Sequence, residues 1–583
     1  MALTVFLTCL LAFGGTDFFP EAPQNEADAA LQEEIERLTA RPVDLNRATL
    51  EQLLVIPWLN PILAQRIVAT RDSLGGFEST AQLRLVQGIS DELLASLAPV
   101  VTLAREQGQW TGSVLLRGRS DSVAGGRERW STFARAALEN GPWQATALIE
   151  KDRFERNVFD YAADGLVFSR RSVRIALGDY VFGLGRGLVF SAPFARSGIR
   201  LGDELQAASC VRPVSSASEE SGLRGAAGEV TAGRFRFAGL FSMAGRDARL
   251  NSDGTVERIV GGGIHDDSTA LAEKHQLTEV TSALALSCRW KRATLAATGS
   301  DIRYNRSFGP RDSTGSFSGR ELTNVGVSAD AEVGDYQVGL EVARASTGGM
   351  AGALEVAGNW PELAAGVNLR GHSRRYFAPH GRWTGVTGRQ DRLDLSGRLR
   401  FRVGGLGIGC QGNTYRDFEL DSLPARIDGA LSQRLGPVEV VLGLGRSYKA
   451  EEERYRTGRL ELNAGWRDAG RVALIVADQY PESRDGRGRM AAVAVQRDWR
   501  WLALSLAAAR FDITGSGITM YLYEPGAMRL GASYSAGRSV WRTSAGAGTS
   551  LGRKGRVGLK VGCGWAETPA LDAAAQLDIA LGP

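Results

Sequence analysis

A chain of 583 residues is too long for one small core, and with 43% hydrophobic and 23% charged residues it is not a disordered polypeptide. Glycine, at 72 residues, is in excess without a fixed period, which excludes collagen and suits a large antiparallel sheet or barrel with many turns. The net charge of +4 conceals two different halves: Asp17–Leu103 carries 13 acidic against 6 basic residues, a net −7, which leaves +11 for everything after Leu103.

In chain order, the apolar stretch from Ala2 to Phe13 is too short to cross a bilayer as a helix. It suits the core of an export signal over residues 1–16, although no Lys or Arg precedes it. Residues 17–41 read as an acidic linker running into a short helix, with Leu31, Ile35 and Leu38 at helical spacing. Residues 42–103 predict a compact all-α unit. Thr49 with Gln52 forms a capping-box pattern, and Pro57 stops the helix that follows. Asn60 caps the next helix, with Pro61 at its first position and Ala64, Ile67 and Val68 on its apolar face. Gly75-Gly76 ends that helix, Ser79 with Gln82 offers a second capping box, and Ser90 caps a last helix carrying Leu93, Leu94 and Leu97. Trp58 and Gly88 stand 30 residues apart, so one unit is repeated twice.

These residues resemble the tandem helix-hairpin-helix domain of ComEA-type competence proteins. The resemblance is carried by the "DLN" at Asp44–Asn46, Pro57 before the first turn, Ala64, Arg71 followed by "LGGF", then "AQL", "VQGI" and the closing "LAPVV". It covers about a tenth of the chain. It implies a module that grips DNA non-specifically through backbone amides at two hairpins, with Trp58, Leu59, Asn60, Gly88, Ile89 and Ser90 at the turns and Arg66 and Arg71 beside them. The residues qualify that expectation. Trp58 and Asn60 replace the two glycines of the first hairpin, and Ser90 replaces one in the second. Val43–Leu103 holds four basic residues against six acidic, where duplex binding calls for a basic footprint.

From about Gln109 the pattern becomes period two. In "RLDLSGRLRFR", Leu393, Leu395, Leu399 and Phe401 oppose Arg392, Asp394, Ser396, Arg398, Arg400 and Arg402; in "RLELNAGWR", Leu460, Leu462, Ala464 and Trp466 oppose Arg459, Glu461, Asn463 and Arg467. Similar segments recur to the end of the chain between Gly, Asp, Asn and Pro turns. No apolar run is long enough for a membrane helix. Strands of this kind, closed on themselves, satisfy every backbone group inside a bilayer, so residues 109–583 predict an outer-membrane-type antiparallel barrel of about two dozen strands. Arg392, Arg398, Arg400 and Arg402 are then expected to line its lumen. The competing reading is a set of soluble β-sandwiches. The fusion is also reminiscent of helix-hairpin-helix barrels of Bacteroidetes, and "LGDYVFGLGRGLVF", Leu177–Phe190, looks like a strand-turn segment in those barrels.

Five widely spaced cysteines without a CxxC, and only four histidines, give no metal, iron–sulfur or thioredoxin spacing, and free thiols are expected. "GLGRG", Gly183–Gly187, lacks the GxGxxG spacing and the following helix of a phosphate loop, so it is read as a barrel turn or glycine kink. "EEERYR", Glu451–Arg456, and Asp485–Arg489 are read as solvated loops. No paired carboxylates or Ser/His/Asp pattern supports an enzyme, and no cofactor is expected. Two functions remain: a barrel with a periplasmic DNA-contacting module, as in DNA uptake, or a transport or structural barrel whose helical module is a plug or docks a periplasmic protein. In both, outer-membrane lipid surrounds the barrel.

Overall fold

The computed structural model describes Leu38, most of residues 42–103, and from Trp110 to Leu581 the strands with many of their connections. Residues 1–37, the segments 104–109, 121–129, 156–160, 192–209, 215–221, 261–264, 310–316, 382–391 and 525–531, and shorter stretches elsewhere lie outside the described residues. The expected export signal and the linker before Leu38 fall there.

The helical part has its own core, built from Leu38, Leu45, Leu53, Ile56, Ile67, Leu83, Leu97 and their neighbours. Its 30-residue repeat is visible in backbone bonds. Ile56 N–H donates to Leu53 O and Val86 N–H to Leu83 O, each at 3.0 Å, and Leu59 and Ile89 repeat the step to Ile56 O and Val86 O. The helix Pro61–Leu74 starts at the proline and ends at Gly75 and Gly76, with φ of 71° and 123°. The Gly76 N–H returns to Arg71 O at 2.9 Å, closing the last turn in a Schellman bond. The second capping box does not form. Thr80–Leu85 is a 3-10 helix, Ser79 makes no side-chain cap, and Gln82 Oε1 instead accepts the Glu78 N–H. The tighter winding of a 3-10 turn changes the offset that the capping box requires. Val43–Asp44 pairs in parallel with Val101–Thr102, drawing the two ends of this part together.

The rest is a closed antiparallel barrel of 24 strands, from Thr111–Ser120 to Ala570–Leu581, and the last strand pairs with the first. At the end where the first strand begins and the last ends, every connection is two or three residues long. Gly141, Gly233 and Gly334 sit in such turns with φ near 60°, the left-handed geometry that keeps two-residue hairpins in line with strand twist. The opposite rim carries the longer connections, among them 183–222, 247–276 and 515–539. The segments read as loops at Glu451–Arg456 and Asp485–Arg489 belong partly to strands: Arg454–Trp466 and Arg487–Asp498 are paired along the wall. Alternating side chains extend each strand further than the charges suggest.

The two faces of the wall differ in kind. Leu284, Phe237, Val327, Leu506 and Leu559 project from the outer face, Leu284 with 75% of its surface exposed, while Ala283, Ala285 and Ser287 alternate with it on the inner face. This is apolar outside and small or polar inside, the pattern a bilayer imposes on a barrel. Among the described cysteines, Cys210, Cys288, Cys410 and Cys563 form no disulfide. An arginine at Leu284, mid-strand on the outer face, is expected to cost about 2–4 kcal/mol. Ala283→Ser on the inner face is expected to cost much less. Urea titration of the folded, heat-modifiable form checks both.

The lumen is not empty. The hairpin of Met520–Glu524 and Ala532–Ala536 turns inward, and Ile518, Met520 and Leu522 pack on Ile475, Met490 and Phe511 of the inner wall. A larger core fills the arc of wall between Val173–Phe182 and Leu363–His372. There the wall contributes mainly alanines, such as Ala176, Ala227, Ala283 and Ala343, against Leu184, Leu188, Phe190 and Phe377 from inside.

Candidate functional site: the helical module and a lumenal insert

The residues of the helical module that carry its sequence signature are mostly structural. The Asn46 side-chain amide donates to Phe77 O at 2.9 Å and accepts the Phe77 N–H at 2.7 Å, stapling the start of the module to the chain just beyond Gly76. Asp44 Oδ1 accepts the Asn46 N–H, and Leu45 is fully buried. Arg71 Nη1 donates to Ala48 O at 2.7 Å and its Nε pairs with Asp72. Of the expected DNA contacts, Leu59 is buried at 4% exposure and Ile89 packs on the same core. Arg66 lies half-buried on the helix Pro61–Leu74. Trp58, Asn60, Gly88 and Ser90 lie outside the described residues. The structure thus gives Arg71 an internal duty.

The second site was not legible as one. Strand Val173–Phe182 pairs with Leu223–Ala232, so the glycine-rich stretch after Phe182 is not a hairpin turn. It leaves the sheet and folds into the lumen. Its point of departure is fixed by Tyr180, fully buried, whose hydroxyl donates to Phe241 O at 2.8 Å, and by Asp179, which pairs with Arg224 at 2.8 Å. Gly185 and Gly187, at φ 68° and 80°, supply the kinks.

Arg186 is the centre of this insert. Asp330, Gly339 and Glu355 stand in one cross-strand row on three adjacent strands. The Arg186 guanidinium lies over Gly339, pairing with Asp330 at 2.5 Å and Glu355 at 2.8 Å. A Cβ on Gly339 would overlap that guanidinium, so the row is open at its middle only because the residue is glycine. Next along the strand, Glu341 accepts the backbone N–H groups of Arg186 and Leu188. Arg370 Nη1 donates to Arg186 O, and the Tyr376 hydroxyl donates to Leu188 O at 2.8 Å. At the far end of the insert, Ser191 N–H donates to His380 O, and the His380 ring stacks on Phe190 and pairs with Glu279. A buried arginine shared between two carboxylates is a desolvated, geometrically demanding arrangement.

The expected lumen arginines lie on the strand Arg392–Val403. Arg398 is buried at 8% exposure, while Leu393 and Phe401, at alternate positions, are exposed on the outer face. Arg392, Arg400 and Arg402 fall at strand positions of the same parity as Arg398. Arg186, Asp330, Glu341, Glu355 and Arg370 were not anticipated. Their signal was an acid or a glycine at inward positions of otherwise small-residue faces: Gly326, Ser328 and Asp330 on one strand, and Gly339, Glu341 and Ala343 on the next.

The helix-hairpin-helix motif family matches residues 39–102, the helical part of the chain alone. No curated protein matches the sequence. Among solved structures, the P pilus usher (PapC) translocation pore is similar over 82% of this chain and 100% of its own, at 11% identity and a TM-score of 0.38. The copper transporter OprC is similar over 82% and 81%, at 9% identity and a TM-score of 0.38. The siderophore receptor PirA from Pseudomonas aeruginosa is similar over 83% and 82%, at 11% identity and a TM-score of 0.33. The chain is an outer-membrane-type β-barrel carrying a helix-hairpin-helix motif.

Proposed function

We propose that this is a non-enzymatic outer-membrane barrel whose helical module stands in the periplasm and docks a periplasmic protein. Outer-membrane barrels place short turns on the periplasmic side. The module precedes the first strand at the short-turn rim, which supports that side for it. The observation that carries the docking reading is the fate of the basic residues. Of the four in Val43–Leu103, Arg71 is turned onto Ala48 O and Asp72, against six acids in the same span.

The second reading is non-specific DNA contact, favoured by the match to the helix-hairpin-helix motif and by the repeated turns at Leu59 and Ile89. Fluorescence anisotropy of the full-length protein with labelled duplex DNA separates the two. The docking reading expects no tight binding at low salt, and the same signal from a barrel lacking residues 17–105. Tight binding that falls steeply with salt and vanishes on removing those residues establishes the DNA reading instead.

A further inference from the structure

We propose that Gly183–Ser191 is the segment that closes this barrel to ions, with Arg186 as its latch. The inference rests on the barrel alone and is independent of what the helical module binds.

Depth is the first argument. The strand Tyr336–Ala345 runs from the short-turn rim outward, and Arg186 is seated at Gly339, six residues in from the outer end at Ala345. At ~3.4 Å per residue that is about 20 Å along the strand, most of its length. Breadth is the second. The insert leaves from Val173–Phe182 and docks on Gly319–Val333, Tyr336–Ala345 and Met350–Asn359. It therefore bridges an arc that includes Leu223–Ala232, Phe235–Arg246, Leu277–Arg289 and Ala293–Phe308. The space under that arc is packed by Leu184, Leu188, Val189 and Phe190, which form one buried apolar cluster with the inner-face alanines of that part of the wall.

The third argument is the chemistry of attachment. An insert that served only as filler needs no charges, because apolar contacts are cheaper to bury. This one is keyed instead by three wall carboxylates, Asp330, Glu341 and Glu355, to one guanidinium and two backbone N–H groups of the insert. Without Arg186 the wall retains an acidic row facing the insert, and repulsion and rehydration both favour leaving the closed position. The glycines at 183, 185 and 187 put little steric resistance in the way.

The test is single-channel recording of the full-length protein in planar lipid bilayers, with folding verified by heat modifiability. Arg186→Met is expected to raise conductance several-fold over wild type. A Cβ on Gly326 would stand 2.8 Å from Val189 Cγ2, so V189C with G326C, in a background without native cysteines, staples the insert to the wall. Oxidation of this pair in the R186M protein is expected to restore the wild-type level, and reduction to release it. Wild-type conductance in folded R186M overturns the proposal, as does a stapled R186M that conducts as well as the unstapled protein. If R186M does not fold, Arg186→Lys keeps the charge and loses the fork. An intermediate conductance abolished by the staple supports the latch, and wild-type conductance overturns it.

Discussion

Gly339→Leu is expected to destabilise the barrel by about 3–5 kcal/mol, the cost of leaving buried charges without their partner. The leucine side chain takes the place of the Arg186 guanidinium, and Asp330 and Glu355 on either side then face each other across the row without it. The same substitution at Gly352, one strand over, is the control. Gly352 alternates with the inward Ala351 and Ala353 and so lies on the outer face, where a Cβ meets nothing nearer than the Glu341 carbonyl at 4.0 Å; a leucine there tests the strand without touching the row. The measurement is the urea midpoint of the folded form in detergent, read by tryptophan fluorescence. Equal midpoints for the two variants would show that the arginine is not held by that row.

Asn46→Ala is the second large effect, at about 2–3 kcal/mol within the helical module. The substitution removes both bonds to the Phe77 peptide and leaves its N–H and C=O without the amide that satisfies them. Neither Asn46 nor Phe77 is among the residues expected to contact a ligand at the hairpin turns, so the loss reports folding and not ligand contact. Hydrogen exchange of the Phe77 amide in the full-length protein is expected to accelerate, while exchange in the barrel strands stays unchanged. An unaltered Phe77 amide would mean that the Gly75–Gly76 turn holds this segment without Asn46.

How much was legible follows from what each signal encodes. Strand segments such as "GPVEVVLGLG" and "RMAAVAVQRDW" were readable because alternation is local, and the observed strands Val438–Tyr448 and Arg487–Asp498 cover all of them but Gly436, Pro437 and Trp499. The helix Pro61–Leu74 was readable because its start and stop are set by a proline and two glycines within the same stretch. The Ser79 capping box misled because the same residues serve a 3-10 turn equally well, and the choice depends on how Leu83 reaches the core. "GLGRG" misled differently. Its glycines correctly announced kinks, but nothing within it says that the chain turns into the lumen.

By itself, then, the sequence determined the separation into an acidic helical module and a basic barrel, the two faces of the strands, and the repeat that builds the module. Each of these depends on spacing within a few tens of residues. The tertiary structure alone decided that Arg186 meets Asp330 and Glu355, residues 144 and 169 positions away, and that Gly339 is the gap between them. Barrel closure sets which strands stand opposite the insert, and the register of three neighbouring strands aligns two acids and a glycine in one row. That row exists only after every strand has found its partner, because register along a closed sheet is fixed by all of its pairings together.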